Sequence, residues 1–231
     1  MEDSAQHHAY PDASTPWFRT WISQRETVLA LASGGCARYA FSATAQLCPD
    51  RKGAPLVAYE SANPHHHMIM SNSGMTLRFT LSYLPDGTED LILILAGRLI
   101  LVDPNDHDAL DRYLRYFGGS LDNHSRGARR LYRLHSERAH LEQVSGASTP
   151  IPLDRLILRN PFTEKEEAAL IRLLESEGLP HLKRWANDPP MPPRVAGIDA
   201  FGLDLRVGDI LVRHQPDRPF KTPADLRSMI G

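Results

Sequence analysis

The 231-residue chain has a formal net charge of −2, with 42% hydrophobic and 23% charged residues, which is an ordinary globular composition. This balance excludes a general nucleic-acid binder, which needs a basic excess. The polar residues 1–15 contain no lysine or arginine, and no apolar run could span a bilayer, so we expect neither a signal peptide nor membrane insertion. Two cysteines, Cys36 and Cys48, are too few for a disulfide framework and favour the cytoplasm.

The first part of the chain predicts one helix followed by strands. After a tail over residues 1–15, Pro16 suits the first turn of a helix that we expect to reach Ala32. A longer apolar strand over 90–102 contains Gly97, which predicts a bend or a bulge. Alternating apolar and polar residues predict earlier strands over 36–45, 55–61 and 75–83.

A helix and two further strands are predicted next. Asp103 and Pro104 begin the helix, which ends at Gly118. The two strands cover 130–134 and 138–144. Many short strands with few helices favour an antiparallel barrel.

The sequence changes character after Pro152. Thr163 and Glu166 predict a capping box ahead of an amphipathic helix. The proline-rich residues 188–193 lead to three short strands and a last helix that begins at Thr222. We therefore expect three parts: a flexible tail over 1–15, a barrel domain over 16–152 and a small α+β domain over 153–231.

The order of these segments resembles the split barrel of the pyridoxamine 5′-phosphate oxidase-like superfamily. Residues 96–103 and the helix that follows are similar to one barrel strand and its helix. Residues 131–134 and 138–141, and the run 195–205, are similar to the haem-utilisation (HugZ-like) branch. The resemblance implies an α+β protein with an antiparallel split β-barrel and a small α+β C-terminal domain. It also implies a homodimer that binds haem or flavin mononucleotide (FMN) near the dimer interface.

The flavin phosphate in this superfamily is held by a motif that resembles Ser-x-x-x-x-His-Thr-x-Asn. Ser61 and His66 match it, but His67 and Ile69 replace the threonine and the asparagine. Met68 stands where the family often has a basic residue, and neither Met68 nor Ile69 has a side-chain donor. Because a phosphate needs cationic or N–H donors, these losses predict weak FMN binding unless Arg38 and Arg78 compensate. Both arginines also suit the polar faces of ordinary strands. The residues predicted to bind the cofactor are Ser61, His66, His67, Arg78 and Arg38.

Haem needs one axial imidazole and an apolar slot. The chain has 11 histidines, and the sequence leaves the choice of ligand open. We expect no dedicated metal site at His65, His66 and His67, because consecutive residues on an extended chain point to opposite faces. The candidates for the haem-iron ligand are His66, His135, His140 and His214.

Three functions remain open from the sequence. The first is a protein related to haem-utilisation and haem-degrading proteins, and the second is an FMN-dependent oxidoreductase. The third is a degenerate split barrel that serves as a binding or scaffold protein. The chain contains no Gly-x-Ser-x-Gly motif, P-loop or dinucleotide fingerprint, so its catalytic residues stay unassigned.

Overall fold

The structure is a computed structural model that describes residues 27–32, 42–45, 47–60, 76–83, 91–118, 129–143, 146–156 and 160–230. These residues form a mixed α/β protein with antiparallel sheets. The strands are β1 Thr27–Ala32, β2 Ser42–Ala45, β3 Leu47–Pro49, β4 Pro55–Glu60, β5 Thr76–Tyr83, β6 Leu91–Leu101, β7 Arg129–Gln143, β8 Ser148–Ile151, β9 Arg194–Asp199, β10 Gly202–Val207 and β11 Ile210–His214. The helices are α1 His107–Phe117, α2 Leu153–Leu156, α3 Glu164–Ser176, α4 Leu179–Trp185 and α5 Pro223–Arg227.

The larger sheet has eight strands in the order β2-β1-β5-β6-β7-β4-β3, with β8 paired to β7. Strand β7 has 15 residues, and one of its edges pairs with β6 over almost its whole length. Its other edge pairs first with β4 and then with β8. The sequence predicted two strands here, over 130–134 and 138–144, and that division is wrong. The interruption of the alternation near residue 137 is a β-bulge within one strand.

Strand β1 corrects the prediction for the amino-terminal region. The predicted helix was expected to reach Ala32, but Thr27–Ala32 form a strand. This strand pairs on one edge with β2 and on the other with β5, so sheet pairing on both sides outweighs the helix-like spacing of its apolar residues. Residues 16–26, where the helix was predicted to begin, lie outside the described residues.

Helix α1 begins later than the sequence indicated. Its N-cap is Asp106, whose side chain accepts a hydrogen bond from the backbone N–H of Ala109 at 3.1 Å. Asp103 instead accepts from the backbone N–H of Asn105 at 2.8 Å, in the turn before the helix. The predicted end at Gly118 is confirmed: its φ of 64° is a backbone conformation that favours glycine.

The carboxy-terminal region follows its sequence pattern closely. The predicted capping box is present, since the backbone N–H of Thr163 donates to Glu166 at 2.8 Å and that of Glu166 donates to Thr163 at 3.3 Å. The three predicted strands form a second antiparallel sheet in the order β11-β10-β9. Thr222 caps α5 as expected. Helix α3 packs on this sheet, and the core between them includes Leu170, Leu174, Val195, Ile198, Leu203 and Leu205.

A second core lies between α1 and the two sheets. Ala196 of β9 is fully buried there against Cys48, Tyr113 and Tyr116. The segments on either side of residue 152 therefore share buried contacts. The domain boundary itself stays a prediction. No helix within the described ranges is long and apolar enough to cross a membrane.

Candidate functional site

The paired strands β6 and β7 present two chemically different faces. In an antiparallel ladder, directly opposed residues share a face and interact. One face is packed: Leu95, Tyr132, Leu134, Ala139 and Leu141 are at most 3% exposed. The opposite face combines apolar, cationic and imidazole side chains, and we call it the mixed face. Its opposed pairs are Ile94–His140, Ala96–Arg138, Arg98–His135 and Ile100–Arg133.

A β-bulge at Gly97 assembles the mixed face. The register shifts between Ala96 and Gly97, so that Glu137 is an extra residue on β7. A Cβ atom at Gly97 would lie 2.1 Å from the carbonyl oxygen of His135, so the close approach requires glycine. His135 and His140 are an odd number of residues apart, which in a regular strand would place them on opposite faces. The bulge brings both to the same face.

Accessibility changes along the mixed face. At one end Ile94 and Ala96 are buried, and at the other Ile100 is 54% exposed. His140 is half-buried beside Ile94, whereas His135 is exposed. The face therefore runs from a covered apolar region to an open one, and His140 lies at the covered end.

The arginines of the mixed face have different partners. Arg133 contacts Asp50 at 2.6 Å and Asp106 at 2.9 Å, so its charge is neutralised. Arg98 pairs with Glu137 at 2.9 Å, but its side chain is 57% exposed and such pairs are weak. Arg138 is exposed and forms no ion pair with any residue that the structure describes. Arg98 and Arg138 are thus the cations available to an anionic ligand.

The backbone positions of the two histidines are far apart on the mixed face, which does not favour a shared metal ion. They oppose Ile94 and Arg98, which are four residues apart on β6, or about 14 Å at the rise of a strand. A metal ion bound by both histidines would need the donor nitrogens of the two rings within about 4 Å of each other. Nor do the described residues contain a cluster of three or more histidine, cysteine or acidic side chains that could hold a metal ion. A ligand on this face would use a single imidazole.

Most of the cofactor residues predicted from the sequence are not among the residues that the structure describes. Ser61, His66, His67 and Arg38 fall outside the described residues, and their roles stay predictions. The backbone of Arg78 lies on β5 opposite Ala96, which itself opposes Arg138 on β7. Arg78, Ala96 and Arg138 are therefore aligned across β5, β6 and β7. The backbone of Arg78 lies about 10 Å from that of Arg138, which is the spacing of two strands.

His214 occupies a different environment from the other histidines. It belongs to β11 in the second sheet, and its ring stacks on Trp185 with 4.6 Å between ring centroids. Its Nε2 atom is buried and has no hydrogen-bond partner among the described residues. Burial lowers the pKa of His214 below its ordinary value, so the ring is neutral at neutral pH.

A buried ion pair connects α1 to α3, and no sequence pattern predicted it. Arg112 Nη1 donates to both carboxylate oxygens of Glu167, at 2.6 and 2.7 Å, and both side chains are 1% exposed. Arg112 Nε also donates to the carbonyl of Pro49 at 2.7 Å. The backbone N–H of Ile198 donates to Glu167 at 3.2 Å. Burial alone would lower the pKa of Arg112, but the Glu167 carboxylate raises it, so the arginine stays charged.

A second buried network holds α1 against the second sheet. The hydroxyl of Tyr116 donates to Asp204, which also accepts from Arg213 Nη1 at 2.9 Å. Arg213 Nη2 donates to Asp199 at 2.8 Å. Both networks combine residues far apart in sequence, so no local pattern could reveal them. Their charges pair with one another, although the buried Nε of Arg213 has no partner among the described residues. The two networks are therefore structural elements, and the mixed face is the candidate surface for a cofactor.

Comparisons with known proteins support the fold. No protein-family model matches the sequence, and no curated protein matches it. The structure is similar to that of the protein Atu2129 from Agrobacterium tumefaciens, whose function is unknown, with 18% identity and a TM-score of 0.69 over 96% of this chain and 95% of that chain.

Two more remote structural neighbours have descriptive names. One is a heme binding protein from Mycobacterium smegmatis, with 16% identity and a TM-score of 0.47 over 95% of this chain and 94% of that chain. The other is a protein from Clostridium acetobutylicum described as pyridoxinephosphate oxidase family, with 10% identity and a TM-score of 0.41 over 58% of this chain and 89% of that chain. At scores below 0.5 these two are remote neighbours only, and the fold shared with the Agrobacterium protein is what the comparisons show.

Proposed function

We propose that the protein binds haem on the mixed face, with His140 as the axial donor, and that it does so as a homodimer. The sequence resemblance to the haem-utilisation branch supports this proposal. The observation that carries it is the bulge at Gly97, which collects two imidazoles, two available arginines and apolar side chains on one face of the ladder. When bound, haem would supply the one-electron and oxygen chemistry of its iron.

The residue types of the mixed face fit haem. The two propionates of haem need cationic donors, and Arg98 and Arg138 are exposed on this face. The porphyrin body needs apolar contact, which the exposed Ile100 offers. The iron needs one imidazole. We favour His140 because it is half-buried next to Ile94, whereas the exposed His135 would leave the iron open to water.

FMN binding is the alternative. Its phosphate could pair with Arg98 or Arg138, but the sequence that matches the phosphate motif has no side-chain donor at Met68 or Ile69. Each lost charge-assisted hydrogen bond should weaken binding by roughly 10- to 100-fold. We therefore expect the affinity for haem to exceed that for FMN. A protein that binds neither would be a scaffold.

The homodimer is supported by the open end of β6. Ile100 and Leu101 are 54% and 45% exposed, although both are large and apolar. Adjacent strand residues point to opposite faces, so both sides of this strand end present apolar surface. A second copy of the chain would cover it, as the resemblance to split-barrel dimers implies. Light scattering should give twice the mass of one chain, and a monomer at micromolar concentration would contradict the proposal.

The haem proposal is tested by titrating the purified protein with haemin and following the Soret band. We expect saturable binding by the wild type and a Soret shift in His140→Ala, with affinity reduced by about tenfold or more. His135→Ala is the matched control, because it removes an imidazole from the same face of the same strand. It should bind haemin within about twofold of the wild type. Arg138→Gln should weaken binding by about tenfold without moving the Soret band.

A parallel titration with FMN separates the alternatives. Tighter binding of FMN than of haemin would favour the flavin function and contradict the proposal. Loss of haemin binding in His135→Ala but not in His140→Ala would contradict the assignment of the ligand. A featureless spectrum with both compounds would favour the scaffold.

A further inference from the structure

A cleft of about 410 Å³ lies on a part of the molecule that the haem proposal does not use. It is formed where α1 and α3 meet the second sheet, and its volume is within the range of small-molecule sites. Leu114 on α1, Ile171 on α3 and Val195 on β9 provide apolar walls. The cleft is therefore large enough for a small organic molecule and has apolar surface to contact it.

Two arginines that line the cleft face each other across the sheet. Arg194 on β9 and Arg206 on β10 are directly opposed in the register. Like charges at opposed positions of an antiparallel pair repel each other and destabilise the sheet. Neither arginine forms an ion pair with another residue in the described part of the chain. The protein therefore keeps two like charges without ion-pair partners side by side in the lining of the cleft, with Arg194 exposed and Arg206 half-buried.

A third arginine lines the same cleft. Arg115 on α1 uses its Nε to donate to the carbonyl of Ala196 at 3.2 Å, and it too has no ion pair with any described residue. The guanidinium group of Arg206 packs closely against Gly118 at the end of α1, since a Cβ atom at Gly118 would lie 2.0 Å from Nη1. Arg115 is thus held by a backbone carbonyl and Arg206 packs against Gly118, and neither is held by a carboxylate of the described residues.

The acidic residues of the cleft do not neutralise these cations. Glu175 on α3 accepts a hydrogen bond from the backbone N–H of Val195 at 3.2 Å. Asp111 lies exposed on α1. With three arginines and two acids, the cleft carries an excess of positive charge that an anion would balance.

We propose that this cleft binds a small organic anion, whose carboxylate or phosphate group bridges Arg194 and Arg206. Guanidinium groups bind both anions through paired N–H donors, so the recognition chemistry is the same for the two. The apolar walls at Leu114, Ile171 and Val195 contact the rest of the molecule. Binding removes the repulsion across the β9–β10 pair, which explains why the sheet retains two opposed arginines.

The test is isothermal titration of the full-length protein at constant ionic strength with inorganic phosphate, pyrophosphate and succinate as separate probes. We expect saturable binding at one site per chain for one chemical class, which distinguishes a phosphate ligand from a carboxylate. Arg194→Gln and Arg206→Gln should each raise the Kd by about tenfold or more. Arg172→Gln is the matched control, since it removes an exposed arginine of α3 that does not line the cleft. It should leave the Kd within about twofold.

Thermal unfolding without an anion gives an independent measurement. If the two arginines serve ligand binding, Arg194→Gln should leave the Tm unchanged or raise it, because the substitution removes the repulsion between Arg194 and Arg206. A lower Tm would show that the arginine serves the fold, and would contradict the proposal. Absence of saturable binding with all three probes would overturn it. The proposal would also be overturned if Arg194→Gln and Arg206→Gln bound the anion like the wild type. An equal loss of affinity in Arg172→Gln would indicate general charge attraction and would likewise overturn it.

Discussion

The interface between α1 and α3 and the mixed face of β6–β7 use the same residue types in opposite ways. At the interface Arg112 and Glu167 are both 1% exposed, 2.6 Å apart and surrounded by further hydrogen bonds. On the mixed face Arg98 and Glu137 form a pair at a similar distance, 2.9 Å, but their side chains are 57% and 31% exposed. The distances alone would suggest equal importance.

Burial decides the difference between these two pairs. Removing one partner of a buried pair leaves a desolvated charge without compensation, whereas water compensates an exposed charge. The ion pair at the α1–α3 interface therefore stabilises the fold. The mixed face can exchange its weak pair for a ligand at little cost.

The largest effect is expected from removing the carboxy-terminal region. A chain that ends at Ile151 loses Glu167, the partner of Arg112, and Asp204, the partner of Tyr116. It also uncovers the core that Ala196 completes. We expect it not to unfold cooperatively, as measured by circular dichroism during heating. A cooperative transition within a few degrees of the full-length protein would show that residues up to 151 fold independently.

Breaking the two ion pairs one at a time compares them directly. Glu167→Gln leaves Arg112 buried without its carboxylate, and should lower the free energy of unfolding by about 3–5 kcal/mol. Glu137→Gln breaks the exposed pair with Arg98 and is the matched control, with an expected loss below about 1 kcal/mol. Urea denaturation measures both values. Equal losses would refute the role assigned to burial.

The bulge of the mixed face depends on a single glycine. In Gly97→Ala the added methyl group would meet the carbonyl oxygen of His135, so the strands must move apart. We expect a loss of about 1–3 kcal/mol in urea denaturation, as for other overpacked sites. The affinity for haemin should fall as well, since the register that joins His140 to the cationic side chains changes. Unaltered stability and binding would mean that the bulge is not needed.

The smallest effect concerns the pH dependence of stability at His214. Burial lowers its pKa below 6.5, while Asp217 opposes and Arg184 adds to this shift. Because the native state resists protonation of this ring, the stabilisation is present above pH 6.5 and is lost as the pH falls through the folded pKa. His214→Gln should make the Tm less dependent on pH below 6.5. His107→Gln, at an exposed histidine, should retain the wild-type dependence.

Much of the carboxy-terminal fold could be predicted from the sequence. The capping box at Thr163 and Glu166, the three short strands and the helix after Thr222 are specified by neighbouring residues, and all are present. The need for glycine at residue 97 was also visible, as a break in an apolar strand. These features depend on backbone conformation and local hydrogen bonds, which a few consecutive residues determine.

The functional surfaces depended on tertiary structure. Thr27–Ala32 became a strand only because two partners pair with it, and the bulge placed His135 and His140 on the same face of β7. The Arg112–Glu167 pair joins residues 55 positions apart, and the cleft places Arg115 near Arg194 and Arg206. Sequence determines what one segment prefers by itself. Which charges are buried, paired or left facing one another follows from the packing of distant segments, because burial and register exist only after the chain has folded.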